Sequence, residues 1–526
     1  MTRRLLVLVE TQDRPGLLSR VSGLLHSLGA NVATSLGYRV DGRARILFMV
    51  DARLEPGELA ERIREQLGGE ARVEAAYLGP EGAELLAEFL EDKPGLVNLL
   101  ELYLDPPDLL DALLRLPEEA RRRIYRVLSH SSLARIMLLA DEATAQEIAG
   151  SLDPDHLARA LAALEPDETV DVLQKLPEKL RRQLLGRLPE PLREEAQRLL
   201  RYPPDTAGGV MTTSVPVLRA DDTVQRALQE LRSGEHDVRD TVVVVDSQGR
   251  LLGLVTVDQL LRAGPGERLG SLALKPRATV EPEADREEAA RIMLRYDISR
   301  LPVVDQEGRF LGLITIEDMA GVLTEEAAED IALLGGVEAP KERYLKARVL
   351  DLFRRRILWL LMIFLVESVT ANIIKGYEDV IRRIALLAAF IPLVMDTGGN
   401  VGSQASSMIV RALALGEISE KSRHDIVYVL LKEVATAALI GAAMSAVGFV
   451  FALLLSGGEV KLSLVVALTL FIVIMMADVI GASLPILARR LGIDPATLSS
   501  PLLTTITDIG VTVIYMGLAS YLILGR

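Results

Sequence analysis

The sequence predicts a multidomain chain in four parts: a small α+β unit of βαββαβ order, an all-α helical stack, a tandem pair of α/β units, and an α-helical membrane domain of five spans. Three observations predict it. Arg, Glu and Asp are dense up to about residue 353, whereas Leu, Ile, Val, Ala and Gly dominate from Ile357 onward. The stretch VVDSQGRLLGLVTVDQL (244–260) returns as VVDQEGRFLGLITIEDM (303–319), at an offset of 59. Finally, PLVMDTGGNVGSQASSMIV (392–410) places an aspartate, an asparagine, a glutamine and three glycines inside an apolar run, where a lipid-facing helix carries leucines.

The bulk numbers set bounds. The 526 residues suffice for several domains. The net charge of −14, without a polybasic tract, argues against nucleic acid as a partner. The absence of cysteine excludes disulfides, thiolate zinc sites and a cysteine nucleophile. The N-terminus has only a five-residue apolar run, too short for a signal-peptide core, so the front half is expected in the cytoplasm. The five histidines (His26, His130, His156, His236, His424) fall in separate segments and form no metal-spaced or triad-like set, which counts against an enzyme.

Residues 1–79 alternate strand and helix. LLVLVE (5–10) reads as a strand, DRPG (13–16) as a turn into the helix 16–28, and Asp41-Gly42 as a hairpin between two further strands. PGELAERIREQL and ARVEAAYL complete the unit. DRPGLL leading into the helix and GANV opening the second strand resemble an ACT domain; that resemblance implies a small ligand, commonly an amino acid, between paired copies. A dimerisation module without ligand is the alternative. Residues 80–202 repeat short amphipathic helices punctuated by LP or DP, as in LLRLPEEARRRIYRVL and VDVLQKLPEKLRRQLLGRL, and predict a helical stack.

The repeat within 203–324 resembles a tandem pair of CBS domains, a regulatory module. Adenine-nucleotide binding by such pairs needs a Thr-x-x-Asp ending. The second copy has it (Thr315, Asp318), but the first has Gln259 in the aspartate's place, which counts against a bound nucleotide. Residues 325–356 predict a linking helix or helices. Arg354, Arg355 and Arg356 then precede the first span and mark the cytoplasmic side.

Five segments approach the ~20 residues a bilayer requires: 357–374, 384–410, 426–455, 462–488 and 499–524. Arg411, Lys421 and Arg423 follow the second, and Arg489 and Arg490 the fourth, which predicts N-terminus inside and C-terminus outside. Polar backbone at membrane depth is tolerated only when buried in protein or facing water. Pro392 and Gly398-Gly399 predict a break in the second span, freeing carbonyl oxygens for a hard cation. Glycines as packing surfaces are the plainer reading, but they leave Asp396, Asn400 and Gln404 unexplained. Asp508 lies deep in the last span, and no Lys or Arg stands mid-span to neutralise it. Glu367, Asp478 and Glu433 are further acids in spans.

TGGNVGSQ, IVRALALGE and LARRLGIDPATLSSPLL followed after four residues by Asp508 resemble the membrane domain of MgtE-type magnesium channels, and the helical stack and CBS pair stand in that family's order. The ACT-like unit is an addition to the plan. The resemblance implies a homodimer in the plasma or inner membrane, with Mg²⁺ both transported and regulatory. It implies Asp508 as the pore carboxylate, Thr504, Asp396 and Gly399 as carbonyl donors, and Ser403 as a polar pore-lining position. Family members can have glycine at the position of Asp396 and an amide at those of Ser403 or Ser500. Mn²⁺, Co²⁺ and Ca²⁺ also accept oxygen ligands and stay open as cargo.

Residues 285–330 carry twelve acids against five arginines, a net −7 and half the charge of the whole chain. On composition this is a solvated face. The resemblance instead implies cytosolic Mg²⁺ sites that hold the pore closed. Their positions here are Asp167 and Asp171 in the stack, Asp285, Glu287, Asp297 and Asp318 in the CBS region, Glu326, Glu329 and Asp330 in the linking helix, and Asp494 in the last cytoplasmic loop. Arg135 and Gly321 stand where the family can have acids. Two other functions remain open: a carrier coupled to H⁺ or Na⁺ through Asp508, and a membrane-anchored sensor that conducts nothing.

Overall fold

In the computed structural model the chain forms two compact units, Met1–Met319 and Ala320–Arg526. The structure describes residues 3–68, 70–234, 236–338, 347–419, 421–495 and 500–525.

The first unit opens with β1 (Arg3–Gln12), α1 (Leu17–Ser27), β2 (Asn31–Val40), β3 (Arg43–Ala52), α2 (Pro56–Leu67) and β4 (Arg72–Tyr77). The antiparallel sheet has the order β2-β3-β1-β4, as βαββαβ requires. Asp41 and Gly42 both adopt positive φ, 49° and 79°, which is the turn chemistry their pairing demands. Period-2 alternation divides β1 between two cores. Leu5, Val7 and Val9 pack beneath α1 and α2 with Val21, Leu25, Leu59 and Ile63. Leu6 and Leu8 face the other way, joining Leu86, Phe89 and Leu90 of α3 (Ala83–Asp92) in the core of the helical stack. The ACT-like sheet is therefore covered on both faces within this unit.

The stack continues through α4 (Val97–Leu100), α5 (Pro106–Arg115), α6 (Glu118–Tyr125), α7 (His130–Leu139), α8 (Glu142–Ser151), α9 (Pro154–Leu161), α10 (Pro166–Gln174), α11 (Glu178–Leu185) and α12 (Glu190–Leu199). Its starts are written in the sequence: Ser129, Asp141 and Asp153 cap α7, α8 and α9 with their side chains, and prolines open α5, α9 and α10. The odd-numbered helices α5, α7, α9 and α11 pack in succession, so each layer contacts the one about 25 residues on.

The tandem repeat holds to the residue. β5 (Val217–Arg219), α13 (Val224–Ser233), β6 (Thr241–Val245), β7 (Leu251–Thr256), α14 (Val257–Arg262) and α15 (Leu269–Leu272) make the first copy. In the second, α16 (Arg286–Tyr296), β8 (Arg300–Val304) and β9 (Phe310–Thr315) follow, the two strands displaced from β6 and β7 by the offset of 59. The copies join about a local two-fold: the Leu251 amide donates to the Gly308 carbonyl, and the Phe310 amide to the Gly249 carbonyl, each at 3.0 Å.

The helix α17 (Ile316–Leu334) grows directly from the second copy into the second unit, and residues 339–346 of the expected linking segment lie outside the described residues. Beyond it are α18 (Val349–Gly376), α19 (Glu378–Arg383), α20 (Leu386–Ala414), α21 (Arg423–Leu455), α22 (Val460–Arg490) and α23 (Ser500–Ala519). Among the described residues, four helical segments are long and apolar enough to cross a membrane: Val349–Gly376, Arg423–Leu455, Val460–Arg490 and Leu503–Ile523. α20 has the length, with 29 residues, but its polar stretch keeps it out of that set.

The expected break in α20 does not occur: the helix is continuous from Leu386 to Ala414 through Pro392 and Gly398-Gly399. Packing supplies the reason. A Cβ on Gly398 would lie 2.8 Å from Val473 Cγ1 of α22 and 2.9 Å from Val511 Cγ2 of α23; one on Gly399 would lie 2.6 Å from Thr504 Cγ2. Gly402 and Gly481 bring α20 and α22 into backbone contact, since a Cβ on Gly481 would meet the Gly402 carbonyl oxygen at 2.2 Å. Close approach of three helices outweighs the roughly 1 kcal/mol that each glycine costs a helix.

Candidate metal sites

The membrane-length helices assemble one candidate site around Asp508. It sits on α23 at 9% exposure, and its Oδ1 is buried without a hydrogen-bond partner among the described residues. Thr504, one turn earlier, faces Gly399, so two expected pore residues are neighbours. Glu367 of α18 and Asp396 of α20 lie within electrostatic reach of Asp508, so three carboxylates come from three helices. No ion pair among the described residues reaches any of them. In water such a trio is ordinary; in an apolar bundle each uncompensated charge costs several kcal/mol, so it is met by a proton or by a cation.

Asp396 itself is exposed, and the Asn400 Nδ2 donates to its Oδ2 at 3.1 Å. Asn400 and Gln404 continue the exposed stripe at four-residue steps, while Ser403 is half-buried. The expectation of carbonyl donation by Asp396 and Gly399 from a broken helix is corrected. Their carbonyls stand in an unbroken helix; Asp396 presents its carboxylate, and Gly399 makes room for Thr504. The Ser500 side chain and residues 496–499 lie outside the described residues.

A second acidic pair, Asp478 buried and Glu433 half-buried, lies in the same bundle. Asp478 of α22 is 3% exposed with Oδ2 unpartnered among the described residues, and the charge of Glu433 on α21 acts on it. One turn to one side lie Val401, Ala437 and Ile474; one turn to the other lie Ile409, Leu413, Val429, Ala482 and Ile486. Two apolar layers thus bound the pair.

The second candidate site lies in the first unit, where α10 meets the CBS pair. Thr212 Oγ1 donates to Asp167 Oδ1 at 3.1 Å. Burial pushes the Asp167 carboxyl up to about 7, and the charges of Asp318 and Asp171 add to that rise. Glu168, beside it, is also raised by burial and by Asp237, while the Arg135 guanidinium opposes the rise. Arg135, at a position where the resemblance allows an acid, is therefore a counter-charge for Glu168. Sequence reasoning placed Asp167, Asp171 and Asp318 in it but missed Glu168, Asp237 and Thr212, because their meeting depends on how the stack docks on the strands.

The remaining expected ligands are distributed differently. Asp285 and Asp297 stand at opposite ends of α16: Asp285 Oδ1 accepts from the Glu287 amide at 2.7 Å as its N-cap, and Asp297 ends the helix with a φ of 50°. Glu287 is paired with Arg291 at 3.2 Å. Glu326, Glu329 and Asp330 lie on α17, and Asp494 is exposed beyond α22, all in the second unit. Among the described residues, no three acidic or imidazole side chains converge closely enough to hold one ion within the single chain. At the CBS endings, Asp318 Oδ2 accepts from Thr315 Oγ1 at 2.5 Å, and Gln259 Oε1 accepts from the Thr256 amide at 2.8 Å. Gln259 therefore retains the aspartate's capping function and drops its charge. In the DRPG turn, Asp13 is paired with Arg39.

The comparisons agree with this architecture segment by segment. A divalent cation transporter model (MgtE) matches residues 391–518, an MgtE intracellular N domain model 104–205, CBS domain models 207–266 and 269–325, and an ACT domain model 5–68. The magnesium transporter MgtE of Thermus thermophilus is 37% identical over 333 residues, covering 62% of this chain and 72% of that protein. The magnesium transporter MgtE of Bacillus subtilis is 29% identical over 327 residues, covering 62% and 71%. Among solved structures, the cytosolic domain of the Mg²⁺ channel MgtE in complex with ATP is 30% identical, with a TM-score of 0.43, covering 46% of this chain and 99% of that one. The chain belongs to the MgtE family of magnesium transporters, a family of transporters and not of enzymes.

Proposed function

We propose that this transporter is a homodimeric Mg²⁺ channel of the plasma or inner membrane, closed by cytosolic Mg²⁺ and open when that Mg²⁺ is scarce. The observation that carries the reading is the buried Asp508 oxygen, without a hydrogen-bond partner among the described residues and within the electrostatic reach of Glu367 and Asp396, none of which has an ion pair among the described residues. The donors are hard oxygens, which fit Mg²⁺; a pore with few carboxylates and retained water lets so reluctantly dehydrating an ion pass. Asp508 supplies the charge, Thr504 stands one turn away, Ser403 and Asn400 add polar surface, and Asp396 raises the negative field at the mouth.

A second copy of the chain supports the reading by completing what one copy leaves open. The stripe Asp396–Asn400–Gln404 is exposed at membrane depth, and lipid cannot cover it. α18 presents Leu358, Leu361, Phe364 and Leu365 outward and is suited to lipid or to a partner's helices. Five spans follow, with the N-terminal domains inside and the C-terminus outside.

Closure is an electrostatic matter. The carboxylates expected to take part are those of Asp167, Asp171 and Asp318, of Asp285, Glu287 and Asp297 on the CBS pair, of Glu326, Glu329 and Asp330 on α17, and of Asp494. Bridging Mg²⁺ neutralises them and populates the closed form; reversing a gate from mostly open to mostly shut takes ~5 kcal/mol of differential binding. An adenine nucleotide at the second CBS ending and an amino acid between paired ACT-like units are further inputs, and calorimetry on the full chain tests each.

The decisive experiment is Mg²⁺ flux into proteoliposomes at low and high internal Mg²⁺, for wild type and Asp508→Asn. Wild-type flux that falls with internal Mg²⁺ and vanishes in the variant is expected. Equal flux in both removes Asp508 from the path, and flux abolished by a protonophore replaces the channel with a carrier.

A further inference from the structure

β4 stands last in the sheet order β2-β3-β1-β4, so one of its two edges has no strand beside it. The Leu78 amide donates to the Arg4 carbonyl at 3.0 Å, which sets the alternation. Arg72, Glu74 and Ala76 bond to β1, while Val73, Ala75 and Tyr77 turn their backbone groups outward. The two ends of that outward row are closed. The Val73 carbonyl accepts from Arg64 Nη2 at 2.7 Å, and a Cβ on Gly82 would meet the Tyr77 carbonyl oxygen at 2.6 Å. Between them, the Val73 amide and both backbone groups of Ala75 have no hydrogen-bond partner among the described residues.

This open edge lines a cavity of about 560 Å³ whose walls come from two layers, α2 on one side and α3 of the stack on the other. Small residues, Gly57 and Ala60 of α2 and Ala75 of the strand, leave the space beside the edge. The charges of the cavity are acidic in excess. Arg72 is engaged by Glu74 and Glu88 at 2.7 and 2.6 Å, and Arg64 by the Val73 carbonyl. Glu61, Glu81 and Glu84 are exposed on the walls with no ion pair among the described residues.

We propose that this slot is a docking site for an extended basic segment of another protein, which joins the sheet as a fifth strand beside β4. Two features choose that occupant. The open amides of Val73 and Ala75 call for carbonyl acceptors, which a peptide backbone supplies and a small polycation does not. The three unpaired carboxylates call for Lys or Arg. The pleat then sets the pattern. Val73 and Ala75 point into the core beneath α1 and α2, whereas Arg72 and Ala76 point the other way, to Glu88 and the core of the stack. A fifth strand follows the same alternation. Its basic residues fall at every second position, towards Glu81 and Glu84, and small apolar residues between them lie over Gly57 and Ala60. Such a strand is covered on both faces and ties the ACT-like unit to the stack. The slot belongs to one chain and does not depend on the channel reading.

The test uses the full-length chain in detergent, with excess Mg²⁺ to occupy the other acidic surfaces. The probe is fluorescent acetyl-Lys-Val-Lys-Val-Lys-Val-amide, followed by anisotropy. Saturable binding to wild type is expected, weakened about fivefold in Glu81→Gln and in Glu84→Gln. Ala75→Pro removes an outward amide without touching the ladder to β1 and is expected to weaken binding as well. Thermal midpoints check that each variant folds. Independently of any variant, the same peptide with every backbone amide methylated keeps its charges but cannot pair as a strand, and it is expected not to bind. Equal binding of the methylated peptide, displacement of the probe by spermidine at equal charge, unchanged binding in the folded Glu81 and Glu84 variants, or no saturable binding to wild type would each overturn the proposal.

Discussion

Replacing Asp167 by Asn removes one charge from the junction between α10 and the CBS pair while keeping an oxygen for Thr212 to bond. The carboxyl is raised from an ordinary 3.8 to about 7, by burial first and then by Asp318 and Asp171. A raised folded-state value means that the neutral form stabilises the fold: the contribution is complete below about pH 4 and is lost as pH climbs through about 7. At 1.36 kcal/mol per pH unit this interval has a ceiling of about 4 kcal/mol, and water at the partly exposed edge of Asp167 brings it nearer 2. In a unit of this size that is a shift of roughly 4–10 °C in the apparent midpoint. Thermal unfolding of the full-length chain at pH 4 and pH 8, with and without Mg²⁺, reads it. The gap between wild type and Asp167→Asn is expected to be small at pH 4, and the variant to be clearly the more stable at pH 8 without Mg²⁺. Added Mg²⁺ should then raise wild type more than the variant. Coincident midpoints at pH 8, or an equal Mg²⁺ response, would refute the argument that Asp167 is an uncompensated buried charge.

Gly481→Ala drives a methyl group against the Gly402 carbonyl oxygen, so it is expected to destabilise the bundle by about 1–3 kcal/mol and reduce flux, read as a lower midpoint in detergent. Thr212→Val keeps the shape and removes the hydroxyl donor to Asp167; a loss of about 1 kcal/mol is expected at pH 8, where that carboxylate is charged, and less at pH 5. Asp478→Asn relieves a buried carboxylate enclosed between apolar layers, and unlike Asp508→Asn it should preserve Mg²⁺ flux while raising the midpoint; flux lost in both variants would put Asp478 on the conduction path.

How much of this was legible depended on whether the signal was local. The offset of 59 gave β6 with β8 and β7 with β9 because each copy encodes its own turn, and Asp41-Gly42 gave the hairpin because only positive φ closes it. Asp508 was legible because an acid in an apolar helix has few uses. The continuity of α20 was not. Gly398 and Gly399 carry the same letters whether they break a helix or seat it, and the deciding atoms, Val473, Thr504 and Val511, lie about 75 to 110 positions away. The contact of the His130 and His156 rings, with centroids 4.7 Å apart, was hidden likewise. Spacing rules look within one helix or hairpin, whereas His130 and His156 are joined by the period of the stack.

Asp167 and Asp508 share one physical device in two solvents. Each is a carboxylate withdrawn from water, with other acids near, and without a Lys or Arg paired to it among the described residues. An arginine in either place would stabilise the fold more, and permanently. On the proposed reading, leaving the charge uncompensated makes the stable state conditional on a dication: at Asp508 that ion is cargo in transit, and at Asp167 it is the signal that enough has arrived. On the proposed reading both sites respond to the same hard ion, so pore and sensor need no separate chemistry for recognition. They differ in retention: a site inside the pore must let its ion go at every passage, while the sensor holds its ion for as long as cytosolic Mg²⁺ stays high.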